Sequence, residues 1–278
     1  MWNLYIAAMA SIGLVTVGVA GDWHGNTRWA LHALSELHDA GIGEVWHLGD
    51  FGLWPGGAGF LDAVEGACAR LGMTILVTPG NHEDYSQLSE KRGVTTRVRD
   101  RIAFLPRGHR FTVNGWRVLS FGGAPCVDFE HRVEGASWWR AELPAEDEVD
   151  AAIADGPCDI LLLHDSPDAP YATDAVSSIL RSGSGLSDRA LAYARVGRER
   201  VTRLHAAVRP NMTLHGHYHV AGSAQHGDGS WTVSLAADGE DGNLGLLRLP
   251  AKQADAWDGA RVETPAAEFS FLAEADED

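Results

Sequence analysis

Cysteine is scarce: three residues of 278, and Cys68, Cys126 and Cys158 stand far apart. With no Cys-x-x-Cys pair, neither a disulfide framework nor a zinc ribbon is expected, and a reducing, cytoplasmic compartment suits the chain. Basic residues are also in deficit. Lys and Arg number 22 against 38 Asp and Glu, a net charge of −16 with histidine neutral. A surface so negative repels phosphate backbones, so nucleic acid is not the expected partner. Its one dense basic stretch is residues 91–101. Residues 2–20 carry no charge, but no Lys or Arg precedes Arg28. The positive flank of a signal peptide or anchor is thus missing, and no membrane association is expected. Apolar residues at 45% and charged residues at 22% are ordinary for a soluble globule.

The first half alternates apolar strands with amphipathic helices, as a layered α/β fold requires. Strands are predicted at 13–20, 44–48 and 74–77. A helix is expected over 27–39, where Trp29, Leu31, Leu34 and Leu37 recur at near-helical spacing. A second is expected over 59–70, with Phe60, Leu61, Val64 and Cys68 on one side. Asn114-Gly115 suits a type I′ turn, so 110–113 and 116–121 should form a hairpin. Residues 122–143 look irregular. A core strand is predicted at 159–163, a helix over 188–208 ended by Pro210, and a strand at 211–214. Segments 219–224, 230–236 and 245–249 are expected to close the domain as antiparallel strands. The predicted organisation is an N-terminal extension (1–12), one domain (13–250) and an acidic C-terminal tail (251–278). That tail holds eight acids against Lys252 and Arg261, and its last residues, 273–278, should be a solvated end.

Ligands in open α/β sheets bind beyond the carboxyl ends of the strands. Five predicted strands end in side chains that bind metals: Asp22-x-His24, Gly49-Asp50, Gly80-Asn81-His82-Glu83, His164-Asp165 and His215-Gly216-His217-x-His219. Carboxylate, amide oxygen and imidazole suit manganese, iron or zinc, and the thiolates of a structural zinc site are absent. The x-spaced pair His217 and His219, on extended backbone, would point both rings to one side.

In order and spacing these groups resemble the calcineurin-like metallophosphoesterase superfamily, over residues 13 to about 236. The resemblance implies a four-layer α/β/β/α sandwich with mixed sheets. It also implies two divalent metal ions, manganese first, with iron or zinc as alternatives. One metal would take Asp22, His24, Asp50 and His219; the other would take Asp50, Asn81, His164 and His217. Asp50 would bridge them, a metal-bridging hydroxide would attack phosphorus, and His82 would protonate the leaving oxygen or stabilise its charge.

The protein phosphatase branch carries an Asp-Arg pair shortly after the second metal Asp. Here residues 50–57 contain no arginine and no further carboxylate, so bacterial and phage members are the better likeness. A second segment, Gly122-Gly123-Ala124 through Asp128, Arg132, Trp138, Trp139 and Glu142, resembles a subset of those. It reads either as a packed loop with Arg132 in a structural ion pair, or as a pocket wall in which Arg132 contacts phosphate. Phe51 and Trp54 flank the ligands and are further substrate-binding candidates. His47 reads as a core histidine, and His215 as packing or support for a ligand. The partner of His82 stays open among Asp84, Asp128 and Asp165. The expected activity is hydrolysis of a small phosphodiester or phosphomonoester. The alternatives are a nuclease, or a non-catalytic scaffold of the same fold, which a missing ligand would mark.

Overall fold

The structure is a computed structural model that describes residues 13–89, 91–182, 185–252 and 266–272. The expected extension at 1–12 and the solvated end at 273–278 lie outside the described residues.

The chain opens with β1 (Leu14–Ala20), which shows how the layers form. Its side chains alternate. Val17 and Val19 enter an apolar layer on one face. On the other face Gly18 lets α1 (Thr27–Asp39) approach, since a Cβ there would stand 3.1 Å from Leu37 Cδ2. Asn26 caps α1 by accepting the Trp29 N–H at 3.1 Å. Strands β2 (Glu44–His47) and β3 (Thr74–Val77) follow in parallel, joined by α2 (Ala58–Leu71). Next come β4 (Thr96–Arg99) and β5 (Ile102–Phe104), then the hairpin β6 (His109–Val113) and β7 (Trp116–Phe121). Helix α3 (Glu146–Ala154), β8 (Ile160–Leu163), α4 (Asp174–Ser182), α5 (Asp188–Val208) and β9 (Met212–His215) come next. The last described strands are β10 (Gly222–Gln225), β11 (Trp231–Ser234), β12 (Leu244–Pro250) and β13 (Glu268–Phe271).

These strands form two mixed sheets, ordered β13-β12-β1-β2-β3-β5-β4 and β10-β11-β9-β8-β7-β6. Between them lie Val17, Val19, Trp46 and Leu48 from one sheet and Val118, Ile160, Leu162 and Leu214 from the other. Helices α1 and α2 cover the first sheet's outer face through Leu34, Leu37, Leu61 and Val64. Helices α3 and α5 cover the second through Val149, Ala152, Val201 and Leu204. This is the expected four-layer α/β/β/α sandwich, and the parallel strands β1, β2, β3, β8 and β9 deliver their carboxyl ends to one edge.

Three expectations need correction. Strand β11 is antiparallel to β10 but parallel to β9, with Thr232 beside Thr213. Residues 219–221 stay outside any strand. The C-terminal segment is not all acidic tail. Glu268-Phe269-Ser270-Phe271 alternates polar and apolar residues, and β13 pairs with β12 so that Phe269 and Phe271 join the layer between the sheets. Strands β4 and β5 and helices α3 and α4 were not anticipated; Glu146, Asp147 and Glu148 in the first turn of α3 were a usable signal.

Asp159, buried just before β8, ties the second sheet together. It accepts from the Arg117 backbone N–H at 2.8 Å, Arg117 Nη2 at 2.9 Å and Lys252 Nζ at 2.8 Å. Burial pushes its pKa up, but these donors outweigh it and hold the carboxyl at about 2. A depressed carboxyl stabilises the fold fully above its unfolded pKa and loses that contribution as pH falls through the folded value. Asp159→Asn should therefore cost roughly 1–3 kcal/mol near neutral pH, and the difference from wild type should shrink between about pH 4 and pH 2. Urea denaturation across that range checks it; a pH-independent difference would refute it.

Candidate metal centre

The loops after β1 and β2 run side by side. Asp22 N–H donates to Gly49 O at 2.9 Å, His24 N–H to Asp50 O at 2.7 Å and Gly25 N–H to Phe51 O at 3.1 Å. Glycines allow the remaining approach. A Cβ on Gly80 would run into Asp50 Oδ1, and one on Gly216 into Asp22 Oδ2. Seven non-glycine residues have positive φ among those described: Asp22, His24, Asp50, His217 and His219, together with Asn114 and Arg209. Asn114 sits in the hairpin turn and Arg209 ends α5. The other five are predicted ligands, so backbone strain concentrates at this edge. This corrects the reason given for the His217 and His219 pair. Both lie at left-handed φ, 71° and 53°, and a turn, not an extended strand, aims their rings.

Asp50 stands at the centre. Its Oδ2 lies 3.4 Å from His164 Nε2, 3.5 Å from His24 Nε2 and 3.8 Å from His82 Nε2. Asp22, His24 and His219 converge on one side, with His219 Nε2 3.5 Å from Asp22 Oδ1. Asp50, His164 and His217 converge on the other, where Asn81 Oδ1 lies 3.0 Å from His164 Nε2. All seven predicted ligands are thus brought together. His82 also joins a group with His24 and Asp50.

Two contacts fix which imidazole nitrogen is free. His164 Nδ1 lies 2.6 Å from the Leu48 carbonyl, which can only accept, so Nδ1 keeps its proton when the ring is neutral and Nε2 is the nitrogen left for a metal. His24 Nδ1 meets Asp238 Oδ1 at 3.2 Å, with the same consequence. Asp238 was not found from the sequence. It lies between β11 and β12 and reaches the site only through the fold, where its N–H donates to Asp22 O at 3.1 Å. Glu83 was in the quoted motif without a role. Its buried carboxylate accepts from Phe51 N–H at 2.7 Å, Asp50 N–H at 3.1 Å and Gly80 N–H, pinning the two ligand loops together. Burial first, then the Asp50 charge, push it up to about 7.

The donor set fits divalent metal ions. Its oxygens and imidazoles are hard or borderline ligands, and its carboxylates favour positive charge at this edge. Burial works to lower His24 and His164, yet Asp50 and Asp22 outweigh it and hold them up at about 9 and about 10. Because Asp238 orients His24, Asp238→Ala should weaken metal binding about 10–100-fold, as loss of such a partner does elsewhere. Metal content after dialysis against graded chelator would show it; unchanged retention would rule that role out.

Among the substrate candidates, Phe51 must be corrected. It is fully buried and packs on Trp23, Phe60 and Phe104, because its loop turns the ring into the helix-covered core. Trp54 is partly exposed and lies over Gly25, next to His24. Trp138 and Trp139 are buried as the packed-loop reading required, and Arg132 pairs with Asp128 at 2.6 Å. Arg132 nonetheless stays close enough to His82 and Asp50 for their charges to shift one another. Of the three suggested partners for His82, Asp84 caps a short turn through the Ser86 N–H at 3.0 Å, and Asp165 is buried against the Ser166 N–H at 2.9 Å. Asp128 is the one whose carboxyl is influenced by His82. His47 is a core histidine, edge-on to Trp23 at 4.6 Å. His215 is buried, with Nδ1 3.0 Å from Gly216 O.

The sequence profile described as calcineurin-like phosphoesterase matches residues 15–221, more than half of the chain. The chain belongs to the calcineurin-like phosphoesterase family. Its fold is similar to a dimetal phosphatase from Danio rerio, at 13% identity and a TM-score of 0.53, covering 85% of this chain and 93% of that one. It is also similar to the protein TT1561 of Thermus thermophilus, at 14% identity and a TM-score of 0.51, covering 85% and 94%. No curated protein matches the chain in sequence. The family is divalent-metal dependent, and the Asp and His groups described above are where this member could hold metal. Among the described residues, no helix is long and apolar enough to cross a membrane.

Proposed function

We propose that this family member is a two-metal phosphoesterase of the cytoplasm that hydrolyses a small phosphate ester and prefers diesters to monoesters. One observation carries the reading: the buried carboxylate of Asp50 belongs to two groups of possible donors, one with His164 and His217 and one with His24 and His82, and His24 also joins the group of Asp22 and His219. Asp22, His24, Asp50 and His219 would hold one ion, and Asp50, Asn81, His164 and His217 the other. Manganese is the ion proposed, with iron or zinc as alternatives. When bound, such a pair supplies Lewis acidity to the phosphoryl oxygens and lowers the pKa of water. His82 is held by its own N–H on Asp50 Oδ1 at 2.9 Å, so its ring stands beside the reacting centre and can give a proton to the leaving oxygen. Arg132 would contact the phosphoryl group and Trp54 the ester arm. Three buried free thiols go with a reducing setting.

What weighs against the nuclease alternative is that two arginines of the basic stretch are already paired, Arg92 with Asp155 and Arg99 with Asp62. The scaffold alternative lacks its mark, since every ligand position is filled.

The test compares bis-p-nitrophenyl phosphate with p-nitrophenyl phosphate on protein reconstituted with manganese. A higher kcat/KM is expected for the diester, because residues 50–57 hold no cation to bind a monoester's second charge. Arg132→Ala should raise KM about tenfold with metal content unchanged, the loss of one charge-assisted contact. A strong monoester preference with Arg132→Ala silent would overturn the diester reading.

A further inference from the structure

Arg132 does not stand alone beside the site. It follows the short 3₁₀ turn Phe129–His131, and its Nε donates to Asp128 Oδ1 at 2.6 Å. Its Nη1 donates to Ser137 O at 3.1 Å. Nη2 has no acceptor among the described residues. The same Asp128 Oδ1 accepts the Cys126 thiol at 2.7 Å. The platform beneath is fixed. The Cys126 N–H donates to Glu142 at 2.6 Å, and Tyr193 from α5 donates to the same Glu142 oxygen at 3.1 Å. Arg189 lies over the Phe129 ring at 5.0 Å. Asp128 and Arg132 thus present a guanidinium whose charge is cancelled by a carboxylate held against it, on a segment tied to the loop of Asn81 and His82 where the Gly123 N–H donates to Pro79 O at 2.7 Å, and in electrostatic reach of His82.

We propose that Asp128 is the specificity-determining residue of this site: it fixes Arg132 so that Nη2 is free for one phosphoryl oxygen, and its charge withholds the net cation that a dianionic monoester would need. This deepens the phosphoesterase reading and rests on it. A lone arginine would reward the second negative charge of a monoester. A neutral pair donates the same hydrogen bond without that reward, so the monoanion of a diester loses nothing by comparison.

Asp128→Asn separates charge from geometry. The amide oxygen still accepts from Arg132 Nε and from Cys126, and the amide nitrogen replaces Oδ2, which has no partner among the described residues. One unit of charge at several ångströms in a partly solvated site should shift the monoester-to-diester ratio of kcat/KM about tenfold toward the monoester. Arg132→Gln leaves Asp128 uncompensated and should shift the ratio the other way by a similar factor. Isothermal calorimetry on the manganese-loaded protein gives a second readout. Asp128→Asn should bind inorganic phosphate about tenfold more tightly, with dimethyl phosphate nearly unchanged. Melting temperatures identify a variant that has failed to fold, and the other variant then decides. An unchanged ratio in an active enzyme overturns the role of Asp128 and leaves the phosphoesterase reading intact. If neither ester is hydrolysed but phosphate binding tightens as stated, the phosphoesterase reading fails while the charge balance stands. If neither anion binds to any form, both are overturned.

Discussion

Asp50→Asn should lower turnover by roughly 10³-fold or more and leave about one metal ion per chain or fewer where the wild type holds about two. Two dications in adjacent sites repel, and a shared anion is what makes their joint occupation favourable. Asp50 is placed where such an anion would have to be: its Oδ2 is within 3.5 Å of both His24 and His164. The amide keeps the oxygen that accepts the His82 N–H, so the loop geometry should survive and only the charge is removed. Measuring metal by elemental analysis alongside turnover decides the matter. Near-normal turnover with two ions retained would mean that Asp50 does not bridge. The variant should also lose the proton affinity that Asp50 gives the metal-free site. His24 and His164 are raised because its charge outweighs their burial, so in metal-free Asp50→Asn their NMR titrations should move down from about 9 and about 10.

The predicted ligands were legible in the sequence because each sits where a buried parallel strand stops, and an apolar run followed by Asp, Asn or His is a local signal. The two inner sheets were legible for the same reason: β1, β2, β3 and β8 read as continuous apolar segments, as strands buried on both faces do. What was illegible depends on distance along the chain. Asp238 supports His24 from 214 positions away, and only the pairing of β12 beside β1 carries it there. Strand β13 hid among acidic residues because four residues of alternation are too short to outweigh their surroundings. Phe51 was misplaced because a loop residue between two glycine-rich turns can aim its ring either way, and only the fit against Trp23, Phe60 and Phe104 chooses. The left-handed backbone at His217 and His219 was equally hidden, since the enrichment of histidine at positive φ does not mark any one position.

His82→Ala should retain both metals and slow the reaction by roughly 10²–10⁴-fold, the range for losing a positioned proton donor. Its side chain is 20% exposed beside the 2% of Asp50, so a leaving group can reach the ring, as it can reach His24 and His219 at 25% and 46%. Burial is the main cause that lowers its pKa, opposed by Asp50 and assisted by Arg132, so the ring serves the leaving oxygen as a hydrogen-bond donor when neutral and as a proton donor only in its charged, imidazolium form. The loss should therefore grow with the basicity of the leaving group: large for an alkoxide, small for p-nitrophenolate, which departs with little help. A series of aryl and alkyl diesters measures this slope in wild type and variant. Equal slopes would mean that His82 transfers no proton. A fall in metal content would mean something else, because His82 also shares a potential donor group with His24 and Asp50. In that case the ring is a ligand, and the proton must come from Arg132 or from solvent. Arginine holds its proton too tightly to give it up at neutral pH, so solvent would be the donor and the leaving-group slopes of wild type and variant would be the same.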